Sequence, residues 1–325
     1  MTGATSLLMR RTAEALQRRG DDVVALQRRA SPLDVEQVLG DVRDRDVVER
    51  AIRRCDAVVH GAAKVGVVGA WDDYRTVNVD GTANVLHAAR RGDVERLVHV
   101  STPSVAHAGR SLVGAAADEA VTGRGHAFYA ESKAIAERLV LGDTWGEVAV
   151  VAVRPHLVWG PGDTQLVGRI VARARAGRLA TVGNGAALID STYIDNASSA
   201  LVAALDAVAP GARCAGRAYV VANGEPRPIR ELVLGICSAA GVDVTPRRVP
   251  LPVALLVGSV VERVWSLARP RSEPPLTRFL AEQLGTAHWF DPRPARDDLG
   301  HEPTVTIDVG LARLADWYSR GAPAD

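Results

Sequence analysis

The segment that decides the fold is Ala57-Val58-Val59-His60-Gly61-Ala62-Ala63, a short apolar run that ends in three small residues. Helix-like stretches lie on either side of it, at 44–54 and 74–91. The pattern repeats along the first half, with apolar runs at 23–26, 97–100 and 148–153 and helix-like stretches at 7–19 and 129–141. Each run is continuously apolar, which is typical of parallel strands buried on both faces. The alternation predicts an α/β fold built on a doubly wound parallel sheet.

The second half of the chain is less regular. It predicts helices at 165–176, 196–207, 251–268 and 276–284 and a strand at 217–221. Asp195 is a plausible helix cap. The helix at 251–268 is strongly apolar, and we expect it to be core or an acyl pocket rather than a membrane-surface helix, because few charges flank it. The predicted division is a nucleotide-binding domain at 1–165 and a smaller substrate lobe at 166–325 that interleaves with it.

Composition excludes several classes of protein. The 325 residues carry a net charge of +1 from 39 basic and 38 acidic side chains, which gives no global attraction to nucleic acid. The three cysteines are too widely spaced to predict a disulfide framework or a zinc site. We find neither a signal peptide nor an apolar stretch long enough to span a bilayer. We therefore predict a cytoplasmic protein without a metal or a transmembrane segment.

The N-terminus resembles a phosphate-binding turn. Gly3 stands where the first glycine of a dinucleotide turn is expected, and Ser6 and Met9 replace the second and third. Ser6 can donate a hydrogen bond to phosphate, whereas Met9 should loosen the helix packing. Because the central strand that normally precedes this turn is absent, we predict that the first strand is missing and that the native start lies roughly 5–10 residues upstream.

The cofactor preference follows from the next strand. An acidic residue at its end would bind the ribose of NAD, but this sequence has Gln27-Arg28-Arg29 there. Guanidinium groups suit the 2′-phosphate, so NADP(H) is the preferred cofactor and NAD(H) a possible one. Asp41 and Val42 are expected at the adenine, and the small residues 61–63 allow the backbone to approach the ribose and pyrophosphate.

Two further elements point to acid–base chemistry. Ser101 and Thr102 follow the apolar run 97–100, at the sheet edge where open α/β sheets bind ligands. Tyr129 and Lys133 are four residues apart and share one helix face. An ammonium beside a tyrosine favours the phenolate and lowers its pKa, so this pair is a candidate proton donor and acceptor.

The whole set resembles the extended short-chain dehydrogenase/reductase superfamily, to which the NAD-dependent epimerases and dehydratases belong. Within it the chain is similar to the 3β-hydroxysteroid dehydrogenase-like branch and to bacterial 2-alkyl-3-oxoalkanoate reductases of long-chain olefin synthesis. The resemblance is carried by residues 2–5, 41–42, 60–63, 77–82, 101–105, the Tyr129/Lys133 pair, 154–162 and 273–279.

The resemblance implies a Rossmann-type fold and a set of roles. Tyr129 would be the acid–base, Lys133 would lower its pKa and hold the nicotinamide ribose, and Thr102 or Ser101 would bind the substrate oxygen. Asn78 would brace the sheet. The implied cofactor contacts are Gly3, Thr5, Ser6, Leu7, Arg28, Arg29, Asp41, Val42, Gly61, Ala62, Ala63, Lys133, Pro155, His156 and Leu157. A homodimer is expected.

Three functions remain open. The first is a reductase or dehydrogenase acting on a 3-oxo or 3-hydroxy group of an apolar lipid or steroid-like substrate, which the aromatic side chains Trp265, Phe279, Trp289 and Phe290 suit. The second is a nucleotide-sugar epimerase, which Arg28 argues against. The third is a non-catalytic cofactor sensor, which the intact Tyr129 and Lys133 argue against. His156 and His288 are isolated, and no metal-ligand spacing links them, so no metal site is expected there.

Overall fold

The computed structural model describes residues 1–66, 69–106, 111–123, 127–142, 148–268 and 277–321. The helices are α1 (Leu7–Arg19), α2 (Arg45–Ile52), α3 (Trp71–Tyr74), α4 (Gly81–Arg91), α5 (Phe128–Leu141), α6 (Val167–Arg175), α7 (Ile194–Ala207), α8 (Ile229–Ala239), α9 (Leu251–Ala268), α10 (Arg278–Gly285), α11 (Arg293–Leu299) and α12 (Ile307–Ser319). The strands are β1 (Val24–Gln27), β2 (Glu36–Leu39), β3 (Ala57–His60), β4 (Arg96–Val100), β5 (Leu112–Ala115), β6 (Ala149–Pro155), β7 (Val158–Trp159), β8 (Ala180–Val182), β9 (Leu188–Ile189), β10 (Thr192–Tyr193), β11 (Arg217–Val221), β12 (Arg227–Pro228), β13 (Arg247–Val249) and β14 (His288–Phe290).

The central sheet is parallel throughout. Strands β11, β6, β4 and β3 are adjacent in that order, and β1 pairs with β2 beyond them. All residues of β6 are buried, as expected for a strand with helices on both faces. Helices α1, α7 and α11 cover one face, and α2, α4 and α5 cover the other. The predicted doubly wound, Rossmann-type fold is therefore confirmed.

In agreement with the prediction of a missing first strand, no full strand precedes α1 among the described residues, and a β-bridge at Thr2 stands in its place. Thr2 forms parallel bridges to both Leu26 and His60, so it lies between β1 and β3. Its amide donates to the Val59 carbonyl at 3.0 Å, and the amide of Leu26 donates to the Met1 carbonyl at 2.8 Å. Met1 and Thr2 therefore occupy the central strand position and close the gap in the sheet, because two residues suffice to bridge the neighbouring backbones.

Most predicted elements are confirmed, and α1, β3, β11 and α9 have the predicted bounds. The segment predicted as one helix at 74–91 begins at α3 and contains a π-helical stretch, Arg75–Asp80, before α4. The start of the helix predicted at 276 lies outside the described residues. The cap prediction for Asp195 is wrong: α7 begins without a side-chain cap, and Asp195 instead accepts a hydrogen bond from Arg313 at 2.9 Å.

The two halves of the chain interleave. Strand β11 joins the central sheet beside β6. Conversely, β5 from the first half belongs to a small mixed sheet with β14, β9 and β12. A separate core holds α6, α8 and α12 together. A boundary at residue 165 remains a prediction. Within the described ranges, no helix combines the length and hydropathy that crossing a membrane requires.

Candidate active site

The glycine-rich turn brings two backbone segments into close contact. Gly3 has a φ of +76°, and a Cβ at this position would lie 2.8 Å from the backbone N and Cα of Ala62. A side chain would therefore clash as well as strain the backbone, and only glycine fits. Ser6 caps α1 by accepting a hydrogen bond from the Met9 amide, and both Thr5 and Ser6 are exposed. The turn thus presents the start of α1, which favours anions.

Met9 does not loosen the packing, contrary to the prediction. Its side chain is 1% exposed and belongs to the core between α1 and the sheet. A Cβ on Gly61 would lie 2.3 Å from the Met9 sulfur. The missing side chain at Gly61 therefore provides the space that Met9 fills, so a glycine after β3 compensates for the absent glycine in α1.

A cavity of about 450 Å³ opens beside this turn. It is lined by nine of the predicted cofactor residues, Gly3, Thr5, Ser6, Arg28, Asp41, Val42, Gly61, Ala62 and Ala63. The predicted residues Leu7, Arg29, Lys133, Pro155, His156 and Leu157 do not line it. Its size is typical of a small-molecule site.

The corner of the cavity at the end of β1 is cationic. Arg28 and Arg43 both line it, and both are exposed. Arg43 donates to both carboxylate oxygens of Asp41, at 3.0 and 2.8 Å, and this pairing lowers the pKa of Asp41. Sequence reasoning missed Arg43, although it directly follows the predicted pair Asp41 and Val42. Gln27 contributes a buried Oε1 that has no hydrogen-bond partner among the described residues.

The hydroxyl group of Thr102 lies beside the side chain of Tyr129. Burial raises the pKa of Tyr129 to about 12, and the neighbouring Thr102 hydroxyl lowers it by a smaller amount. The Thr102 hydroxyl is itself hydrogen-bonded to the Ser104 hydroxyl at 3.1 Å. Ser101 is 5% exposed, and its Oγ has no partner among the described residues. Of the two hydroxyls that the sequence left open, the structure places Thr102 beside Tyr129.

The ammonium group of Lys133 contacts residues of β4, and its predicted role beside Tyr129 remains a prediction. Its Nζ lies 3.1 Å from Nε2 of His99 and donates to the Val100 carbonyl at 2.7 Å. Burial lowers the pKa of Lys133 to about 8 and that of His99 well below its usual value. The expected lowering of the Tyr129 pKa is absent, because desolvation of the phenolate outweighs the favourable contacts.

Two buried contacts hold α5 in place. Asn78, in the π-helical stretch, accepts from the Lys64 amide at 2.7 Å and donates to Ser132 Oγ at 2.9 Å. It therefore joins the loop after β3 to α5 rather than bracing the sheet itself. Glu137, one turn beyond Lys133, forms a bidentate ion pair with Arg154, and both side chains are 1% exposed. Sequence reasoning missed this pair, because Glu137 lacks a local motif.

The end of β6 leads to a second, small cavity. His156 lines it together with Pro103, Ser104, Leu112, Gln283, His288 and Phe290. The ring centroids of His156 and His288 are 6.1 Å apart, a proximity that the sequence did not predict. Pro155 is buried in β6, and Leu157 has a φ of +45°. Among the described residues, no three His, Cys, Asp or Glu side chains converge as a metal site.

Comparisons with known proteins agree with this geometry. Residues 13–253 match the model of the 3-beta hydroxysteroid dehydrogenase/isomerase family. The chain is 47% identical to the 2-alkyl-3-oxoalkanoate reductase of Stenotrophomonas maltophilia, covering 97% of both chains. It is 37% identical to the 2-alkyl-3-oxoalkanoate reductase of Shewanella oneidensis, covering 97% of this chain and 84% of the relative.

The fold also matches solved structures. UDP-glucuronic acid 4-epimerase from Bacillus cereus in complex with NAD superposes with a TM-score of 0.73 over 99% of this chain and 98% of that one, at 19% identity. This likeness shows the fold alone. The matches confirm the predicted superfamily and enzyme class, an NAD(P)-dependent oxidoreductase acting on CH–OH groups. The chain belongs to the 3-beta hydroxysteroid dehydrogenase/isomerase family.

Proposed function

We propose that this protein is an NADP(H)-dependent oxidoreductase that interconverts a ketone and a secondary alcohol on an apolar 3-oxo or 3-hydroxy substrate. The observation that carries the proposal is the placement of the Thr102 hydroxyl beside Tyr129 at the carboxyl edge of the sheet. In open α/β sheets, ligands bind at this edge. The two hydroxyls can share one substrate oxygen there.

The cavity beside Gly3 fits a dinucleotide. The two backbone segments beside the cavity come closest at Gly3 and Ala62, where a side chain on Gly3 would clash with the Ala62 backbone. The start of α1, with exposed Thr5 and Ser6, offers backbone amides and a hydroxyl to phosphate. These residues would hold the cofactor, and the small side chains of Ala62 and Ala63 would let it lie against the β3 loop.

NADP(H) is favoured over NAD(H) by the charge at the end of β1. Arg28 and Arg43 line the cavity where a 2′-phosphate would lie, and each can form charge-assisted hydrogen bonds with it. Gln27 replaces the acid that would repel this phosphate, and its buried Oε1 can accept a hydrogen bond from a ribose hydroxyl. Of the two carboxylates that line the cavity, Asp41 and Asp73, Asp41 is paired with Arg43.

In the proposed reaction, the cofactor transfers the hydride and side chains of the protein handle the proton and the substrate oxygen. When bound, the nicotinamide cofactor supplies or accepts the hydride. Thr102 orients the substrate oxygen, and Tyr129 moves the proton to or from it. Because burial raises the pKa of Tyr129 to about 12, the phenol is protonated at neutral pH and suits proton donation.

The proposed substrate class comes from the relatives, because the small cavity at β14 has a volume of about 10 Å³, enough for no more than about one water molecule. Its lining mixes the apolar Pro103, Leu112 and Phe290 with the polar Ser104, Gln283, His156 and His288. The most similar relatives reported above are named for 2-alkyl-3-oxoalkanoates, which combine a 3-oxo group with alkyl chains. We propose the same substrate class here and extend it to other 3-oxo lipids.

The proposal is tested first by equilibrium binding of NADPH and NADH, followed through nicotinamide fluorescence. We expect Arg28→Ala to weaken NADPH binding about 10- to 100-fold, the value of a hydrogen bond to a charged group, with little effect on NADH. Arg29→Ala is the matched control, because Arg29 is exposed but does not line the cavity. Equal losses in both variants would refute the assignment of Arg28.

Substrate class is tested by NADPH oxidation with a 2-alkyl-3-oxoalkanoate, a 3-oxosteroid and a UDP-sugar. Turnover of a 3-oxo compound supports the proposal. Epimerisation of the UDP-sugar without net NADPH consumption would favour the epimerase alternative. Binding of NADPH without turnover of any of the three would favour a cofactor sensor.

A further inference from the structure

The small cavity at the end of β6 adjoins the hydroxyl that is proposed to bind the substrate oxygen. Ser104 lines this cavity, and its hydroxyl lies 3.1 Å from the Thr102 hydroxyl. The amide of Ser104 also donates to the Thr102 hydroxyl oxygen, at 3.3 Å. Both contacts belong to the single 3-10 turn Pro103–Val105, which Thr102 caps. The turn therefore holds the two hydroxyls side by side, one beside Tyr129 and the other at the cavity.

The cavity has room for about one oxygen atom. Its volume is about 10 Å³, close to the space that one water molecule needs. More than half of the lining side chains are polar, and the full set is Ser104, His156, Gln283, His288, Pro103, Leu112 and Phe290. The two imidazoles and the Phe290 ring are buried. A buried site of this size and polarity suits an oxygen atom that accepts hydrogen bonds, and it is too small for an alkyl chain.

The hydrogen bonds of the two imidazoles show which lining groups can donate to a ligand. Nδ1 of His156 donates to the Asp190 carbonyl at 2.6 Å, because a carbonyl can only accept. The Thr286 hydroxyl donates to the Glu282 carbonyl at 2.7 Å, so Nε2 of His288, 3.0 Å from that hydroxyl, donates to it. A neutral imidazole has one N–H, and these contacts use it in each ring. The remaining polar lining groups, a serine hydroxyl and a glutamine amide, are therefore the donors for a ligand oxygen.

The two neighbouring hydroxyls match a substrate that carries two oxygens side by side. Each hydroxyl has one hydrogen, so in the contact between Thr102 and Ser104 one of them spends its hydrogen on the other. A ligand with two adjacent oxygens would accept both hydrogens. In a 3-oxo acid or its ester, one carbon separates the C1 and C3 carbonyl carbons, and both oxygens can lie on the same side of the chain. A simple ketone has no second oxygen to place there.

We propose that this cavity binds the C1 oxygen of a 3-oxo acid or ester, and that Ser104 selects substrates that carry that oxygen. The proposal rests on the proposed function, since the C3 oxygen must lie at Thr102 and Tyr129. The Ser104 hydroxyl donates to the C1 oxygen while the Thr102 hydroxyl donates to the C3 oxygen. A methylene in place of the C1 carbonyl would leave Ser104 and Gln283 facing a group that accepts no hydrogen bond, so the site discriminates against simple ketones.

The test compares NADPH oxidation with a 2-alkyl-3-oxo ethyl ester and with a ketone of equal length in which a methylene replaces the C1 carbonyl. We expect kcat/KM of the wild type to favour the ester at least about tenfold. Ser104→Ala should reduce this ratio about 2- to 10-fold, the value of one hydrogen bond between neutral groups. Ser104→Thr keeps the hydroxyl and should keep the preference. Ser111→Ala is the matched control, because Ser111 is exposed and does not line the cavity.

Two results would overturn the proposal while leaving the reductase function in place. One is a wild-type ratio near one. The other is an equal fall for ester and ketone in Ser104→Ala, which would mean that Ser104 only supports Thr102. Turnover of neither compound would overturn the proposed function and this subsite with it. The free 3-oxo acid is measured beside the ester, and the higher kcat/KM of the two identifies the form that the site takes. NADPH titration by fluorescence checks the fold of each variant.

Discussion

Nζ of Lys133 lies 3.1 Å from Nε2 of His99, a buried residue of β4. The neutral imidazole accepts from the ammonium, which favours the charged form of Lys133. We predict that His99→Leu lowers the Lys133 pKa by about one further unit, since one unit corresponds to ~1.4 kcal/mol. The alkaline limb of the kcat profile should shift accordingly. His99→Gln keeps an acceptor and should restore the profile, whereas equal shifts in both variants would mean that His99 only fills space.

Variants of Tyr129 and Thr102 should lose catalytic activity without losing the ability to bind the cofactor. Tyr129→Phe removes the proton donor, and we expect kcat to fall about 10²- to 10⁴-fold while NADPH binding is unchanged. Thr102→Ala should reduce kcat strongly, because its hydroxyl contacts Tyr129. Ser101→Ala is the control, since its Oγ has no partner among the described residues. A larger loss in Ser101→Ala than in Thr102→Ala would reverse the assignment.

Gly3 should be necessary for cofactor binding and stability, because its φ is positive and because a side chain would clash with a neighbouring backbone segment. In Gly3→Ala, the new Cβ would meet the Ala62 backbone at 2.8 Å, so we expect lost NADPH binding and lower stability. Gly20→Ala is matched, because Gly20 also has a positive φ, +98°, but nothing lies within 4 Å of its Cβ position. It should cost about 1 kcal/mol and leave NADPH binding intact. Isothermal titration and urea unfolding measure both effects.

Breaking the buried Glu137–Arg154 ion pair should lower the free energy of unfolding more than breaking an exposed ion pair does. Both side chains are 1% exposed, so Glu137→Gln leaves a buried charge without its partner and should cost about 3–5 kcal/mol in urea unfolding. The double variant Glu137→Met/Arg154→Met should lose less, because no charge remains buried. Asp316→Ala breaks the exposed pair with Arg320 and should cost under about 1 kcal/mol. Similar costs for Glu137→Gln and Asp316→Ala would contradict the prediction.

Asp190 should make stability fall as pH rises. Burial raises its pKa from 3.8 to about 7. Between these values the native state binds a proton that the unfolded state has lost, so the stabilisation present below pH 3.8 disappears as pH passes 7. Asp190→Asn cannot titrate, and its Tm relative to wild type should rise between pH 4 and about 8. Asp308→Asn is the control, because Arg227 lowers the pKa of Asp308 and places it outside this window.

The sequence by itself determined the elements and their order. Continuous apolar runs such as β3 and the helical spacing of α1 depend on local propensity and periodicity, which a linear pattern records. The same holds for Gly3, Thr102, Tyr129 and Lys133, because strand ends and helix faces follow directly from those elements. Nine predicted cofactor residues consequently line one cavity.

Only the tertiary structure decided how distant side chains meet. The partner of Lys133, the bidentate contact of Glu137 with Arg154, and the meeting of His156 with His288 join separate elements. Their geometry depends on packing, which the pattern of either segment alone does not contain. The exposure of Leu256 has the same origin. An apolar helix predicts a buried face, but how much of its circumference is buried depends on how many neighbours pack against it, and α9 has them on one side.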